Sequence, residues 1–278
     1  MQLLIDGDII LYRCGFAAEN RGYVITGHED AGWFSTKAAV TEWLDANLGE
    51  GVTREVTPVS EAEPVENALH NVKDVIASIQ AALASDDVVI YLSGDTNFRD
   101  EIATERPYKG NRVDAPKPVH YHEIQKYLMK HYEYVMSDGQ EADDELGIAQ
   151  TRLTAGDNWE ASCIISIDKD LDMIPGNHYN WVKEEKYFID PNEAMLCFYT
   201  QLVTGDVTDN VPGIPKKGIK AARKALEGKN TPDEMYGAVR DLYVQAFTEK
   251  FADEALLEQA RLLWIRRNLD ELWEPPHV

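Results

Sequence analysis

Short apolar runs that stop at carboxylates constrain this chain more than any other feature. Leu3-Leu4-Ile5 leads into Asp6-Gly7-Asp8, Asp87-Val88-Val89-Ile90-Tyr91-Leu92 into Ser93-Gly94-Asp95, and Cys163-Ile164-Ile165-Ser166-Ile167 into Asp168-Lys169-Asp170. Runs without polar alternation suit strands covered on both faces, and such strands belong to parallel sheets. Between the first two runs, Val65, Ala68, Leu69, Val72, Val75, Ile76, Ile79 and Leu83 recur at helical spacing. Residues 64–84 therefore read as an amphipathic helix lying on a sheet. Repetition of helix, strand and acid predicts an α/β fold with a mostly parallel sheet flanked by helices. Its chemistry is expected in one cleft at the carboxyl ends of the strands.

The acids themselves suggest what that chemistry needs. Glu141 and Asp144 are three apart and share a helix face, with Asp143 beside them. Asp168 and Asp170, two apart beyond a buried strand, can point the same way. Carboxylates this close repel one another unless protons or cations neutralise them. An all-oxygen set suits hard divalent ions, Mg²⁺ or Mn²⁺. Asp6 stands directly at a strand end and joins the candidates, whereas Asp8 reads as the N-cap of a helix over residues 9–18. Asp206 and Asp209, three apart, add two more acids.

Net charge argues against the simplest nucleic-acid reading, since the 278 residues sum to −22 and acidic surfaces repel phosphate backbones. The cations, however, are clustered. Residues 210–229 hold Lys216, Lys217, Lys220, Arg223, Lys224 and Lys229 against Glu227 alone, and residues 105–134 hold Arg106, Lys109, Arg112, Lys117, Lys126 and Lys130 against four acids. Such local patches fit a phosphate backbone whatever the total charge. Cys14, Cys163 and Cys197 have neither CxxC nor histidine spacing, so they read as buried free thiols rather than a disulfide frame or zinc site. No apolar run approaches the roughly 18 residues of a membrane span, and the start Met-Gln-Leu-Leu-Ile-Asp has no basic leader. The expectation is a cytoplasmic protein without a membrane partner.

Two regions emerge, an α/β domain over residues 1–190 and a helical region over 191–278. In the first, residues 20–34 read as a hairpin-like excursion, 35–48 as a helix and 49–64 as loop. Residues 97–118 are polar and basic, with Arg99, Arg106, Tyr108, Lys109 and Arg112, and read as a segment over the acidic cleft whose cations meet a phosphate. Residues 181–182 and 186–189 read as short strands. Asp190-Pro191 starts a helix to about Leu202. A second helix, over residues 219–226, follows the turn Val211-Pro212-Gly213-Ile214-Pro215-Lys216-Lys217-Gly218. Helix amides with lysines make the hairpin 205–226 a phosphate-binding device whose contacts are Lys216, Lys217, Gly218, Lys220 and Arg223. Arg261, Arg266 and Arg267, near the end of the last helix, read as a surface face.

Together these motifs resemble the 5′-nuclease family that includes flap endonucleases and phage 5′→3′ exonucleases, most of all the phage DNA exonucleases of podovirus replication modules. The residues that carry the resemblance are Ile5-Asp6-Gly7, then Gly94-Asp95 with Tyr108-Lys109-Gly110-Asn111-Arg112, then Glu141-Ala142-Asp143-Asp144 and Ser166-Ile167-Asp168-Lys169-Asp170. Gly205-Asp206-Val207-Thr208-Asp209-Asn210-Val211-Pro212-Gly213-Ile214 completes the set, in family order. The resemblance implies a PIN-like or flap-endonuclease-like fold, a helical arch at about 97–118 and a C-terminal helix–three-turn–helix region. It implies Asp6, Asp95, Glu141 and Asp143 at a first metal site and Asp144, Asp168, Asp170, Asp206 and Asp209 around a second. Lys109 and Arg112 are implied as catalytic arch cations, and two Mg²⁺, replaceable by Mn²⁺, as cofactors. Lys216 and Lys217 stand where relatives have a glycine and an aliphatic residue, so the hairpin's charge comes either from K⁺, as in relatives, or from the lysines.

The implied activity is metal-dependent 5′→3′ exonuclease cleavage, together with structure-specific cutting of 5′ flaps, on DNA or on RNA in an RNA–DNA hybrid. The implied setting is phage DNA replication or host DNA degradation in the host cytoplasm. A monomer would act on duplex DNA with a 5′ end, nick or flap. Rival readings meet obstacles in the same residues. A PIN-like ribonuclease would lack the duplex-binding hairpin, and a non-catalytic branched-DNA-binding protein would have lost some of the acids. A phosphatase using Asp6-Gly7-Asp8 would leave the basic hairpin without purpose.

Overall fold

A computed structural model describes residues 1–112 and 115–276 of the chain. In order, its first elements are β1 (Gln2–Asp6), α1 (Gly7–Ala17), β2 (Glu19–Ile25), α2 (Lys37–Leu48), β3 (Val56–Ala62) and α3 (Val65–Leu83). Then come β4 (Val88–Leu92), α4 (Arg99–Ile102), α5 (Tyr121–His131), β5 (Glu133–Met136), α6 (Ala142–Leu153) and β6 (Ser162–Ile165). The chain closes with β7 (Gly176–Asn180), β8 (Glu185–Ile189), α7 (Pro191–Thr204), α8 (Ile219–Leu226), α9 (Pro232–Ala246) and α10 (Glu249–Leu263).

By contacts the chain separates into two compact units, residues 1–9, 77–116 and 128–278 in one and residues 10–76 and 117–127 in the other. This division follows other lines than the expected break at residue 190. In the larger unit the sheet order is β5-β4-β1-β6-β7-β8, with neighbours parallel except β7 and β8. The expected mostly parallel sheet flanked by helices is present. Its inner strands are sealed on both faces, since every residue of β4 and β6 is buried. The exposed Glu185 and Lys186 of β8 mark an edge strand guarded by charge. Because β1 pairs with β4 on one side and β6 on the other, the strand order reverses there. A crevice opens at such a point, outside the strand carboxyl ends.

Helix α6 covers that point. Ala142, Leu146 and Ala149, one helical stripe, pack with Leu4, Val89, Tyr91 and Ile164. A second core joins Phe198, Tyr199, Leu202 and Val203 of α7 to Met235, Val239 and Tyr243 of α9 and Leu256 and Ala260 of α10. Residues 181–182, expected as a strand, form the turn of the β7–β8 hairpin, where Asn180 Oδ1 accepts from the Val182 and Lys183 amides. Helix α10 ends at Leu263. The buried Trp264, Ile265 and Arg266 then run back along the larger unit rather than continuing a surface face. In the expected arch, α4 and a 3-10 turn at Gly110–Arg112 are the helical pieces among the described residues; Val113 and Asp114 lie outside them.

In the smaller unit, β2 and β3 form an antiparallel ribbon in register from Glu19↔Ala62 to Ile25↔Val56. Ile25, Val40 and Leu44 make its core, with Tyr23, Phe34, Trp43 and Val56 around them. Thr36 caps α2 by accepting from the Ala39 amide at 3.1 Å. Residues 49–64 are therefore not simply loop. Pro58 and the exposed Glu61 hide the strand pattern, which the partner strand enforces.

Candidate active site

The reversal point of the sheet gathers carboxylates from β1, α1, α6 and the turn after β6. Asp6 ends β1, is 3% exposed, and accepts from Ser166 Oγ at 2.7 Å and the Ile9 amide at 3.1 Å. The bond to Ile9 makes Asp6 the cap of α1. Asp8, expected in that role, instead accepts from the Ser93 amide at 3.2 Å beyond β4. Asp143 sits in the first turn of α6, and Asp168 caps the 3-10 turn Lys169–Met173 by accepting from the Asp170 amide at 2.9 Å. Among the described residues no lysine or arginine forms an ion pair with Asp6, Asp8, Asp143 or Asp168.

Burial leaves Asp6, Asp8 and Asp143 reluctant to ionise, although Lys109 works the other way on Asp8 and Asp143. Desolvation, then Asp8 and Asp168, push Asp6 up to about 7. Burial, with Asp6, Asp168 and Glu141 nearby, holds Asp143 well above the usual carboxylate range. Asp8 is raised by burial, against its Ser93 hydrogen bonds. Asp170 is pushed to about 7 by burial and by Asp168 and Asp206. Gln201 Nε2 bridges that last pair, 3.1 Å from Asp170 and 2.8 Å from Asp206. Asp206 lies below the usual range: burial opposes this, but the Asp209 and Thr208 amides and Gln201 outweigh it.

A second set of carboxylates in the same place is saturated with donors. Asp144, fully buried, takes a bidentate pair from Arg99 at 2.6 and 2.9 Å and the Arg266 amide at 3.0 Å. Burial would raise Asp144, yet Arg99 holds it below the usual range. Its remaining reach is to the Glu141 amide, 3.1 Å, as half of a capping box on α6. Asp144 thus acts as a strut of α6 here. Arg99, expected over the cleft, is 2% exposed and also donates to the carbonyls of Leu262 and Trp264. Arg266 and Arg267, expected at the surface, bond Gln140 and the Met173 carbonyl.

Residues 107–112 close over the remaining acids. Lys109 Nζ pairs with Glu141 and lies 3.8 Å from Asp209, and Arg112 meets Asp209 at 2.8 Å. The Tyr108 hydroxyl lies 2.9 Å from Glu141 and 2.8 Å from Asp209. Although burial works to lower it, Glu141 and Asp209 raise Lys109 above its ordinary value. Asp209 belongs to a loop closed by the Asp206–Val211 bridge. Gly205 and Gly213 approach so closely beneath that bridge that a Cβ on Gly205 would fall 2.5 Å from the Gly213 nitrogen, and both residues have positive φ. Only glycine suits both demands. Asp95 stands exposed past β4.

The sequence motifs therefore mark most of the gathered acids, and the structure adds Asp8, Ser93, Ser166, Gln201 and Tyr108. Asp8 had a usable signal, its spacing of two from Asp6; Gln201, facing Asp170 from another helix, had none. Next to Asp170 and Gln201 a groove of about 1010 Å³ opens, lined also by Lys169, Ile219, Arg223, Lys224 and Lys229. The exposed Lys216, with φ 62, and the half-buried Lys217 precede Gly218 at the start of α8.

Whether these residues fit divalent cations turns on chemistry. Among the described residues no three His, Cys, Asp or Glu side chains form a ready coordination group. The donors are nevertheless all hard oxygens, and the buried aspartates hold protons that a cation would replace. The inner set fits; Asp144, held by Arg99, fits poorly.

No family model matches the chain. Among curated proteins it is similar to a 5′-3′ exonuclease of Buchnera aphidicola from Schizaphis graminum, 31% identical over an alignment of 172 residues that covers 56% of this chain and 57% of that protein. DNA polymerase I of Bacillus caldotenax is 26% identical over 205 residues, 65% of this chain and 22% of the polymerase. The chain thus spans little more than half the length of the exonuclease relative. Among solved structures, the bacteriophage T5 5′-exonuclease with zinc bound aligns at a TM-score of 0.57 and 16% identity, covering 94% of this chain and 88% of that one. A bacteriophage T5 flap endonuclease in a pseudo-enzyme-product complex with DNA and metal ions aligns at 0.58 and 15%, with the same coverage. The likeness to flap-endonuclease-like 5′-nucleases, first seen in the motifs, extends to the curated relatives and to the fold. No helix among the described residues is long and apolar enough to cross a membrane.

Proposed function

We propose that this chain is a divalent-metal-dependent 5′-nuclease that hydrolyses phosphodiesters of DNA, as a 5′→3′ exonuclease and on 5′ flaps. The observation that carries the reading is the inner carboxylate set at the sheet's reversal point, Asp6 buried and Asp8, Asp143 and Asp168 half-buried with no ion pair to a lysine or arginine among the described residues, beside a groove lined by Lys169, Arg223, Lys224 and Lys229 as well as by Asp170, Asp172, Glu193 and Glu227. Asp6, Asp143, Asp168 and Asp170 would hold the cations, with Asp8, Glu141, Asp206 and Asp209 around them, and Asp95 at the exposed edge. Mg²⁺ is the natural ion for such ligands. Bound divalent ions polarise a phosphodiester and lower the pKa of water, as in two-metal hydrolases. Among the described residues the site holds no serine or cysteine paired with a histidine base, so water attack is the natural route.

The chain's own groups do the rest. Lys109 and Arg112 exchange Glu141 and Asp209 for phosphate oxygens and stabilise charge developing there. Ser166 and Ser93 fix the Asp6 and Asp8 carboxylates. Lys216, Lys217, Lys220 and Arg223, with the Gly218 end of α8, bind duplex phosphates as a helix–turn–helix, the lysines supplying charge that K⁺ would otherwise bring. This reading, a monomer acting on a 5′ end, nick or flap in a cytoplasm, suits a phage replication enzyme.

Digestion of 5′- and 3′-labelled duplex, nicked and flapped DNA tests it. Cleavage from the 5′ side should need Mg²⁺ or Mn²⁺ and stop with EDTA; full activity in excess EDTA would overturn the metal assignment. Replacing Lys216 and Lys217 by alanine should reduce the salt dependence of duplex affinity by roughly one to two units of slope. An unchanged slope would place the duplex elsewhere.

A further inference from the structure

Residues 107–112 and 206–210 are joined by hydrogen bonds to backbone carbonyls rather than to carboxylates. Asn210 Nδ2 donates to the Pro107 carbonyl at 2.9 Å, and Asn111 Nδ2 donates to the Val207 carbonyl at 2.7 Å. Each asparagine therefore reaches from its own loop to the backbone of the other. Between these two ties the Lys109 amide donates to the Asp209 carbonyl at 3.0 Å, and Arg112 Nε donates to the Thr208 carbonyl at 2.9 Å. Lys109 and Asn210 both adopt left-handed backbone, φ 50 and 62. Such a conformation at a non-glycine residue persists where its surroundings impose it.

The consequence falls on Lys109. Its ammonium is set on Glu141 and near Asp209, although a lysine stem is flexible and free to swing. Where the stem starts decides where the charge arrives. We propose that Asn111 and Asn210 are positioning residues, a reciprocal amide strap that aims Lys109 at the carboxylates and hence at the reacting phosphate. The proposal rests on the nuclease reading for its last step only; the strap itself is a property of the two loops.

Asn111→Ala and Asn210→Gly test it, the glycine keeping the left-handed backbone accessible while removing the amide. In single-turnover cleavage of flap DNA at saturation with Mg²⁺, each should slow the reaction about tenfold. The two together should slow it about a hundredfold, with DNA affinity unchanged. In a Lys109→Ala background the same changes should alter the rate by less than about twofold, because the group they aim is gone. A second readout needs no cleavage. In metal-free protein the acylation of Lys109 by an amine-reactive ester, followed by peptide mass spectrometry against exposed Lys216, should accelerate in both variants. Unchanged Lys109 acylation, or losses that add fully to Lys109→Ala, would overturn the strap. A wild-type protein that cuts no DNA would overturn the nuclease reading instead, and the acylation would still decide the strap.

Discussion

Asp6, Asp8, Asp143 and Asp168 are the same chemical group as Glu141, Asp144 and Asp209, in the same cleft, yet they differ in their partners, even though burial raises Asp209 as it raises Asp6. In the first set Asp6, Asp8 and Asp168 have hydroxyl or amide donors, no lysine or arginine among the described residues forms an ion pair with any of the four, and burial keeps Asp6 and Asp143 protonated well past the ordinary range. The second set is met by Arg99, Lys109, Arg112 and Tyr108. Asp144, held by Arg99, is a carboxylate finished as a structural unit. An unpaired buried one repels its neighbours and stores that repulsion until a cation arrives. The contrast separates groups that build the site from groups that wait for what the site binds.

The largest test falls on Asp170, pushed up to about 7 like Asp6 although Lys169 lies 3.8 Å away. Asp170→Asn removes one charge and keeps the shape, so cleavage at saturating DNA should fall about a thousandfold while DNA binding survives. The same change should raise the melting temperature in EDTA, because it relieves repulsion from Asp168 and Asp206. A mutant that keeps its rate at saturation and loses DNA binding would remove Asp170 from the metal set.

The next breaks the paired side. Arg99→Ala strands the buried Asp144 and should cost about 3–5 kcal/mol in urea unfolding. Removing both partners, with Asp144→Ala added, should cost less than the two single losses combined. A cost below about 1 kcal/mol for Arg99→Ala would mean that the pair does not hold the start of α6.

Acidity sharpens the comparison. Asp6 and Asp170 keep their protons in the folded chain up to about 7, whereas the unfolded chain releases them near about 4. The folded state therefore binds more protons between these values, and its stability falls as pH rises through that window. In EDTA the melting temperature should drop by roughly 5 °C from pH 5 to pH 7.5, and Mg²⁺ should flatten the profile. A rise over that range would contradict the inner set's protonation. The smallest effect is expected within the second set. Tyr108→Phe removes one hydroxyl shared by Glu141 and Asp209 and should cost about 1 kcal/mol, read by thermal unfolding without metal.

Reading the strand-end acids in the sequence worked because strands deliver consecutive residues to known places. An apolar run fixes where the strand stops, and the next polar residue falls at its carboxyl end. That logic found Asp6, Asp168 and Asp170 and the parallel sheet. It went astray between Asp6 and Asp8, since either can cap a helix locally; the Ser93 amide, 85 residues from Asp8, decided the matter. It also missed β3, whose pattern becomes a strand only beside β2.

What the chain's order determined by itself was therefore local: which segments are strands and helices, that acids crowd the strand ends, and that lysines crowd the hairpin. Only tertiary structure decided which acids are satisfied. Arg99 and Asp144 are 45 residues apart, and Arg266 meets Asp144 across 122. The asparagine ties between residues 107–112 and 206–210 span about as much chain. Periodicity reports on neighbours along a helix or strand, whereas the pairing of buried charges depends on which distant donors packing brings within about 3 Å.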